Sequence, residues 1–235
     1  MRAALIVNRN ESDPGHVGDG LRSRAFDLVP HFREDHHDWR GLDGVDLVVA
    51  LGSGWSTYWP DVADPVRAEQ ALMGDALGRG IPVLGICFGA QQLATVLGGR
   101  VTRAQSPEIG WFSVAKTPET PDSTPSAVFD GPWMQWHYDR FTVPTGATPV
   151  AESSVGPQAF TAGRSLGLQF HPEATESIVA GWASGSGARE LVDAGVDRAE
   201  LLSRTRVETV GAGRRCDRIL EWFLCDVAQG HIPKH

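Results

Sequence analysis

The sequence predicts an α/β fold: a mostly parallel central sheet flanked by helices, with a small antiparallel extension and a helical C-terminal tail. Three observations predict it. Short apolar runs of strand length alternate with helical patterns through the first hundred residues. From Val101 to Phe160 the chain becomes richer in Thr, Pro and Trp and breaks into short alternating pieces. Beyond Glu173 the spacing of apolar residues turns helical.

Ala3 to Asn8 reads as the first strand, with Gly20 to Val29, around Leu21, Phe26 and Leu28, as the helix after it. The apolar run Val45 to Leu51 contains a buried strand over Leu47 to Leu51. Val66 to Leu77 forms a helix that closes before Gly78 and Gly80, and Ile81 to Ile86 supplies the central strand. Ala90 to Leu97 continues as helix. Trp111 to Lys116 and Gln158 to Thr161 read as hairpin pieces, with prolines 118, 121 and 125 marking a loop between them. Ser165 to Phe170 is a short buried strand. Helices follow over Thr175 to Ala183, Ala188 to Ala194 and Glu200 to Val207, and Ile219, Trp222, Phe223 and Val227 form the stripe of a last amphipathic helix that packs on the core.

Composition narrows the function. A net charge of −8 and a pI near 5.4 argue against nucleic acid and against an anionic membrane as partners, because both would repel the chain. No run of residues reaches the length of an apolar membrane span, and the N-terminus has no long apolar leader segment. Three cysteines, Cys87, Cys216 and Cys225, cannot form a complete disulfide set, which favours a reducing, cytoplasmic location. His31, His36 and His37 lie among Glu34, Asp35 and Asp38, but adjacent histidines point different ways, so the stretch reads as a solvated loop and no metal is expected. No phosphate-binding Gly-rich Lys motif is present, and no cofactor is expected.

The chemistry concentrates at Gly85-Ile86-Cys87-Phe88-Gly89. A reactive side chain flanked by glycines between a strand and a helix has the layout of a nucleophile elbow. The turn strains the nucleophile's backbone, and the glycines remove Cβ atoms that would clash. The helix that starts there directs its free amide donors at the sulfur. A base is available at the end of the strand Ser165 to Phe170, in His171-Pro172-Glu173. Strand ends on the carboxyl side of an open α/β sheet share one rim, so His171 comes to the elbow's side, with Glu173 able to hold its ring. The alternative readings are a buried structural cysteine and a histidine serving only as a polar strand end.

Pro82 to Gln91 together with Gly167 to Glu173 resembles the class I (triad-type) glutamine amidotransferases. Glu108-Ile109-Gly110-Trp111 and Gln135 to Phe141 are similar to stand-alone members that resemble the amidotransferase part of GMP synthase. The resemblance runs from about Arg2 through Glu173. It implies a flavodoxin-like amidotransferase fold as a single domain over 1–235, with the core to about 180 and a tail over about 181–235.

The resemblance further implies that Cys87, His171 and Glu173 attack the side-chain amide of glutamine, release ammonia and leave a γ-glutamyl thioester for water to hydrolyse. It implies an oxyanion hole made by the amide of Phe88 and a second donor, Ser53 or Gly54, in Gly52-Ser53-Gly54-Trp55-Ser56. Family members commonly carry a Gly-Gly-Pro sequence there, and this chain lacks the proline. Gln91 matches the position that contacts bound glutamine, and the backbone around His137, Tyr138 and Asp139 is implied to hold the amino acid's α-groups. Trp55, Tyr58 and Trp59 follow the oxyanion loop and wall the pocket, present an acceptor surface or simply pack. With no synthetase segment in the sequence, ammonia would pass to a separate synthetase or acceptor protein. Two other readings stay open: a γ-glutamyl hydrolase or peptidase, decided by the pocket around Trp55, Trp59 and Trp111, and an inactive binding or regulatory protein.

Overall fold

The computed structural model describes residues 1–230. Its larger sheet contains β1 (Arg2–Val7), β2 (Asp27–Phe32), β3 (Leu47–Ala50), β4 (Val83–Ile86), β7 (Thr148–Ser153), β8 (Gly156–Ala162) and β9 (Ser165–Leu168), in the order β2-β1-β3-β4-β9-β8-β7. The pairings from β2 to β9 are parallel, and those of β9 with β8 and β8 with β7 are antiparallel. The two remaining strands, β5 (Val101–Ser113) and β6 (Pro132–Phe141), form a separate antiparallel pair. The expected mostly parallel sheet and antiparallel extension are therefore present, and the extension has two parts.

The strand sequences are apolar at consecutive positions because both faces of the sheet are covered. Ala3, Leu5, Val7, Leu47, Val49 and Leu51 belong to one core, against Val17 and Leu21 of α1 (Gly15–Ser23) and Cys216, Ile219 and Leu220 of α6 (Arg198–Trp222). Their alternates Ala4, Ile6, Val48 and Ala50 belong to a second core, against Met73 and Ala76 of α2 (Ala63–Gly78) and Ala90 and Leu93 of α3 (Phe88–Val96). A third core lies under the small sheet, where Ile109, Trp111 and Met134 meet α4 (Glu176–Trp182), α5 (Gly185–Asp193) and the start of α6.

Two expectations are corrected. The helix expected over Gly20 to Val29 ends at Ser23, and Asp27 to Val29 begins β2. This is an edge strand paired only with β1, and its mixed exposure and Pro30 hide the alternation. The helix expected to end at Val207 instead runs on as α6 to Trp222 and into a π-helical turn, Phe223–Val227. It passes through Gly211 and Gly213 because neighbours need the space: a Cβ on Gly213 would meet the His16 ring at 3.3 Å. Its start is capped by Asp197, whose carboxylate accepts the Glu200 N–H at 2.8 Å. The expected tail also includes residues 231–235, which lie outside the described residues.

The carboxyl ends of β3, β4 and β9 lie side by side. Loop 51–56, Cys87 and the segment 169–173 consequently share one rim of the sheet.

Candidate active site

Cys87 stands between β4 and α3 with φ +50° and ψ −107°, in the left-handed half of backbone space that a side chain rarely occupies. Such strain costs on the order of 1–3 kcal/mol and persists only where the surroundings fix it. They do so from both sides: Cys87 N–H donates to Leu168 O at 2.7 Å, and Cys87 O accepts from Gln91 N–H at 3.0 Å. The flanking glycines serve close approach. A Cβ on Gly85 would lie 2.6 Å from Gly89 O, and one on Gly89 would lie 2.2 Å from Ala50 O, so α3 sits this near β3 and β4 only with glycine at both places. The first N–H groups of α3, that of Phe88 foremost, have no carbonyl one turn earlier in the helix to satisfy them.

His171 follows β9 and is held through its own N–H, which donates to Met134 O at 2.8 Å and so fastens the small sheet to the large one. Its Nδ1 is 2.7 Å from Glu173 Oε1, and both side chains are buried. The other ring nitrogen, Nε2, pairs with no nitrogen or oxygen among the described residues, and the neighbour it interacts with is the Cys87 sulfur. Burial alone would push the imidazolium down. The Glu173 carboxylate and the Cys87 sulfur together outweigh it and hold His171 well above its ordinary range. Glu173 is fixed in turn by α1: its carbonyl accepts the His16 N–H at 3.1 Å, and a Cβ on Gly15 would fall 2.0 Å from that oxygen.

The loop after β3 passes His171 and Cys87 at Gly52, where a Cβ would lie 2.9 Å from His171 Cε1 and 3.6 Å from Cys87 Cβ. It is gripped by Arg33, a fully buried side chain whose guanidinium donates to Leu51 O at 2.8 Å and Gly52 O at 3.1 Å. The same guanidinium meets Asn8 Oδ1 and both oxygens of the fully buried Glu69, and it lies over the Phe88 ring at 4.8 Å. Paired and fully hydrogen-bonded in this way, two charges can remain inside. Beyond Gly52, the Gly54 N–H donates to Glu11 Oε2 at 3.2 Å, and Trp55 N–H donates to Ser53 Oγ at 3.1 Å. Burial pushes the Glu11 carboxyl up, against the pull of the Gly54 N–H, Arg33 and His171; Glu190 adds to the rise.

The residues expected to bind substrate lie together beside the sulfur, tied to one another. Gln91 is buried, and its amide donates to Asp139 O and Gln169 Oε1, each at 3.3 Å. His137 stands between Asp139 O and Glu108 Oε2, both at 3.1 Å. The Asp139 carboxylate accepts Ser56 Oγ–H at 2.6 Å and Tyr58 O–H at 2.9 Å. Tyr138 donates to Glu190 O at 3.2 Å, with the Arg103 guanidinium 4.4 Å from its ring.

Of the tryptophans expected around the pocket, Trp111 is buried in the third core and donates to Thr205 Oγ1 at 3.0 Å, so it lines no pocket. Trp182, which sequence reasoning did not single out, lies with its ring 4.6 Å from that of His171, and Trp136 packs on it at 6.0 Å. Gln169 was also missed as a site residue; its amide donates to Cys87 Sγ at 3.6 Å. Its position two before His171 in an extended run was the available signal. Arg33, Glu69, Asn8 and Glu11 offered no signal of that kind, being scattered polar residues remote from either motif.

The model of the glutamine amidotransferase class-I family matches residues 52–178, more than half of the chain, and takes in Cys87, His171, Glu173 and the loop from Gly52 to Ser56. The chain belongs to that family. Among solved structures, a glutamine amidotransferase from Thermotoga maritima is similar with a TM-score of 0.84 and 30% identity, covering 95% of this chain and 98% of its own. One from Methylobacillus flagellatus, at 24% identity and a TM-score of 0.74, shares the fold over 99% and 97% of the two chains. Among curated relatives, the GMP synthase [glutamine-hydrolyzing] of Thermomicrobium roseum is 38% identical over 151 residues, 63% of this chain and 26% of the relative. The chain thus spans about a quarter of the length of the curated relatives it matches.

Proposed function

We propose that the chain is a glutaminase-type amidotransferase that releases ammonia from glutamine through a γ-glutamyl thioester on Cys87, acting as one domain over 1–235. The observation that carries this reading is the relay itself. Glu173 holds His171 Nδ1 at 2.7 Å, and the opposite nitrogen is left to the strained Cys87. In the first half-reaction the sulfur attacks the amide carbon, and the negative charge moves to the amide oxygen. Phe88 N–H and Ser53 N–H are assigned to receive it. His171 then gives its proton to the departing nitrogen, so ammonia leaves and the thioester remains. In the second half-reaction His171 takes a proton from water, which attacks the thioester and frees glutamate and the sulfur.

Gln91 is assigned to contact the bound glutamine, and the backbone at His137, Tyr138 and Asp139 to hold its α-groups, through whichever of their polar atoms the bonds among them leave free. The ammonia goes to a separate synthetase or acceptor protein. The curated relatives, whose name joins glutamine hydrolysis to GMP synthesis, support that direction. A reducing, cytoplasmic location accords with three cysteines, a number that cannot form a complete disulfide set.

Incubating the purified chain with glutamine, and separately with γ-glutamyl peptides, while measuring ammonia and free glutamate tests the reading. Glutamine turnover that vanishes in Cys87→Ala is expected. Equal rates in both proteins would sink the mechanism, and turnover of the peptides alone would replace glutaminase by γ-glutamyl hydrolase. Activity that rises from near zero on adding a cell extract would identify a dependence on a partner.

A further inference from the structure

We propose that Glu11 is a positioning residue for the oxyanion hole, acting through the N–H of Gly54 to keep the Ser53 amide turned toward the Cys87 sulfur. This rests on the glutaminase reading above.

Arg33 takes the two carbonyls that precede Ser53, Leu51 O and Gly52 O. The Ser53 hydroxyl is turned back on its own loop, accepting Trp55 N–H. The Gly54 N–H is taken by Glu11 Oε2. Ser53 N–H has no partner among the described residues. Gly52 O and Ser53 N–H belong to one planar peptide group, so Arg33, in holding that oxygen, sets the direction of the N–H, and a hold on the next peptide keeps it from turning. Arg33 fixes the near side. On the far side, beside the local bond of Ser53 Oγ with Trp55 N–H, the contact from elsewhere in the chain is that of Glu11 with the Gly54 N–H, across 43 residues of sequence.

Glu11 is itself well placed to act as a fixed point. It ends the 3-10 turn Arg9–Glu11 that follows β1, and its own N–H donates to Asn8 O at 3.1 Å. Asn8 in turn is bonded to Arg33 and, through Nδ2, to Glu34. The two grips on the loop therefore share one anchor. Glycine at 54 leaves this segment without the rigidity of a side chain or ring, and the carboxyl replaces that rigidity with a hydrogen bond. A proline at 54 would have no N–H to satisfy and a fixed φ. The site has room for a Cβ there, whose nearest neighbour would be Glu11 Oε1 at 3.6 Å.

The test compares Glu11→Ala, Glu11→Gln and Glu11→Ala/Gly54→Pro in glutamine hydrolysis, with amide hydrogen exchange followed in the peptide spanning residues 51–56. An oxyanion donor acts on the transition state, so Glu11→Ala is expected to lower kcat about tenfold or more with KM little changed. Exchange in the loop should accelerate. Glu11→Gln, which keeps an acceptor, should recover most of kcat, and the added proline should recover part of it. Unchanged kcat in Glu11→Ala would overturn the proposal, as would a loss in Glu11→Gln as deep as in Glu11→Ala. Should the wild type not hydrolyse glutamine even with cell extract added, the glutaminase reading falls. The clamp is then judged by exchange alone: unchanged loop exchange in Glu11→Ala overturns it.

Discussion

The elbow at Cys87 and the loop at Gly52 to Ser56 face each other across the site, yet they are built on opposite plans. The elbow is made locally. Its strain, its two close approaches and its helix start all come from five consecutive residues and the two strands beside them. The loop has no geometry of its own and takes its shape from side chains that arrive from elsewhere, Arg33 beneath and Glu11 outside. A locally built turn can be read from a motif. A loop held at a distance is invisible to one, and it is exposed to substitutions far away in sequence.

The largest expected effect is on the elbow. Cys87→Ala should reduce turnover by about 10³-fold or more while leaving the fold intact, as measured by ammonia release and circular dichroism, because residual catalysis would lack any covalent route. On the other side of the comparison, Arg33→Met should cost about 3–5 kcal/mol in urea unfolding, since it leaves the Glu69 carboxylate buried without its counter-ion, with the Gln92 amide as a remaining donor. Adding Glu69→Leu should restore much of that stability. It should not restore activity, because Leu51 O and Gly52 O still lack their donor; full recovery of both would erase the distinction between the two regions.

Where the regions touch, Gly52→Ala should lower kcat about 10²-fold, since a Cβ 2.9 Å from His171 Cε1 must move the ring away from the sulfur. Thermal unfolding should change little. The smallest effect concerns charge. His171 is raised in the folded chain, so the pairing with Glu173 contributes stability fully below the ordinary value of 6.5, and that contribution is lost as pH rises through the raised folded value. Glu173→Gln should lower the His171 titration in NMR and flatten the stability profile above neutrality. An unmoved titration would mean that Glu173 only orients the ring.

The same contrast explains what could be read in advance. The strands Leu47–Ala50, Val83–Ile86 and Ser165–Leu168 are buried on both faces, so their sequences are plainly apolar and were legible. Asp27–Phe32, at the edge and half covered, was taken for the end of a helix. The helix expected over Glu200 to Val207 and the last amphipathic stripe are one helix, in which Gly211 and Gly213 make room for Arg215 and His16. At the site, Cys87, His171 and Glu173 announced themselves through adjacency. Trp111 misled because an aromatic near a motif can turn inward, and Trp182 escaped notice because only the fold brings α4 over His171.

The insertion of β9 between β4 and β8 has a consequence for the order of assembly. His171 arrives on a strand made only after the whole stretch 101–162 has been synthesised, and pairing so distant in sequence forms late. Until then β4 is an open edge, Cys87 lacks the Leu168 carbonyl that holds its strained backbone, and no imidazole is near the sulfur. A chain emerging from the ribosome thus carries Cys87 without these neighbours for most of its synthesis. The surroundings that the proposed chemistry needs come into being only with completion of the sheet.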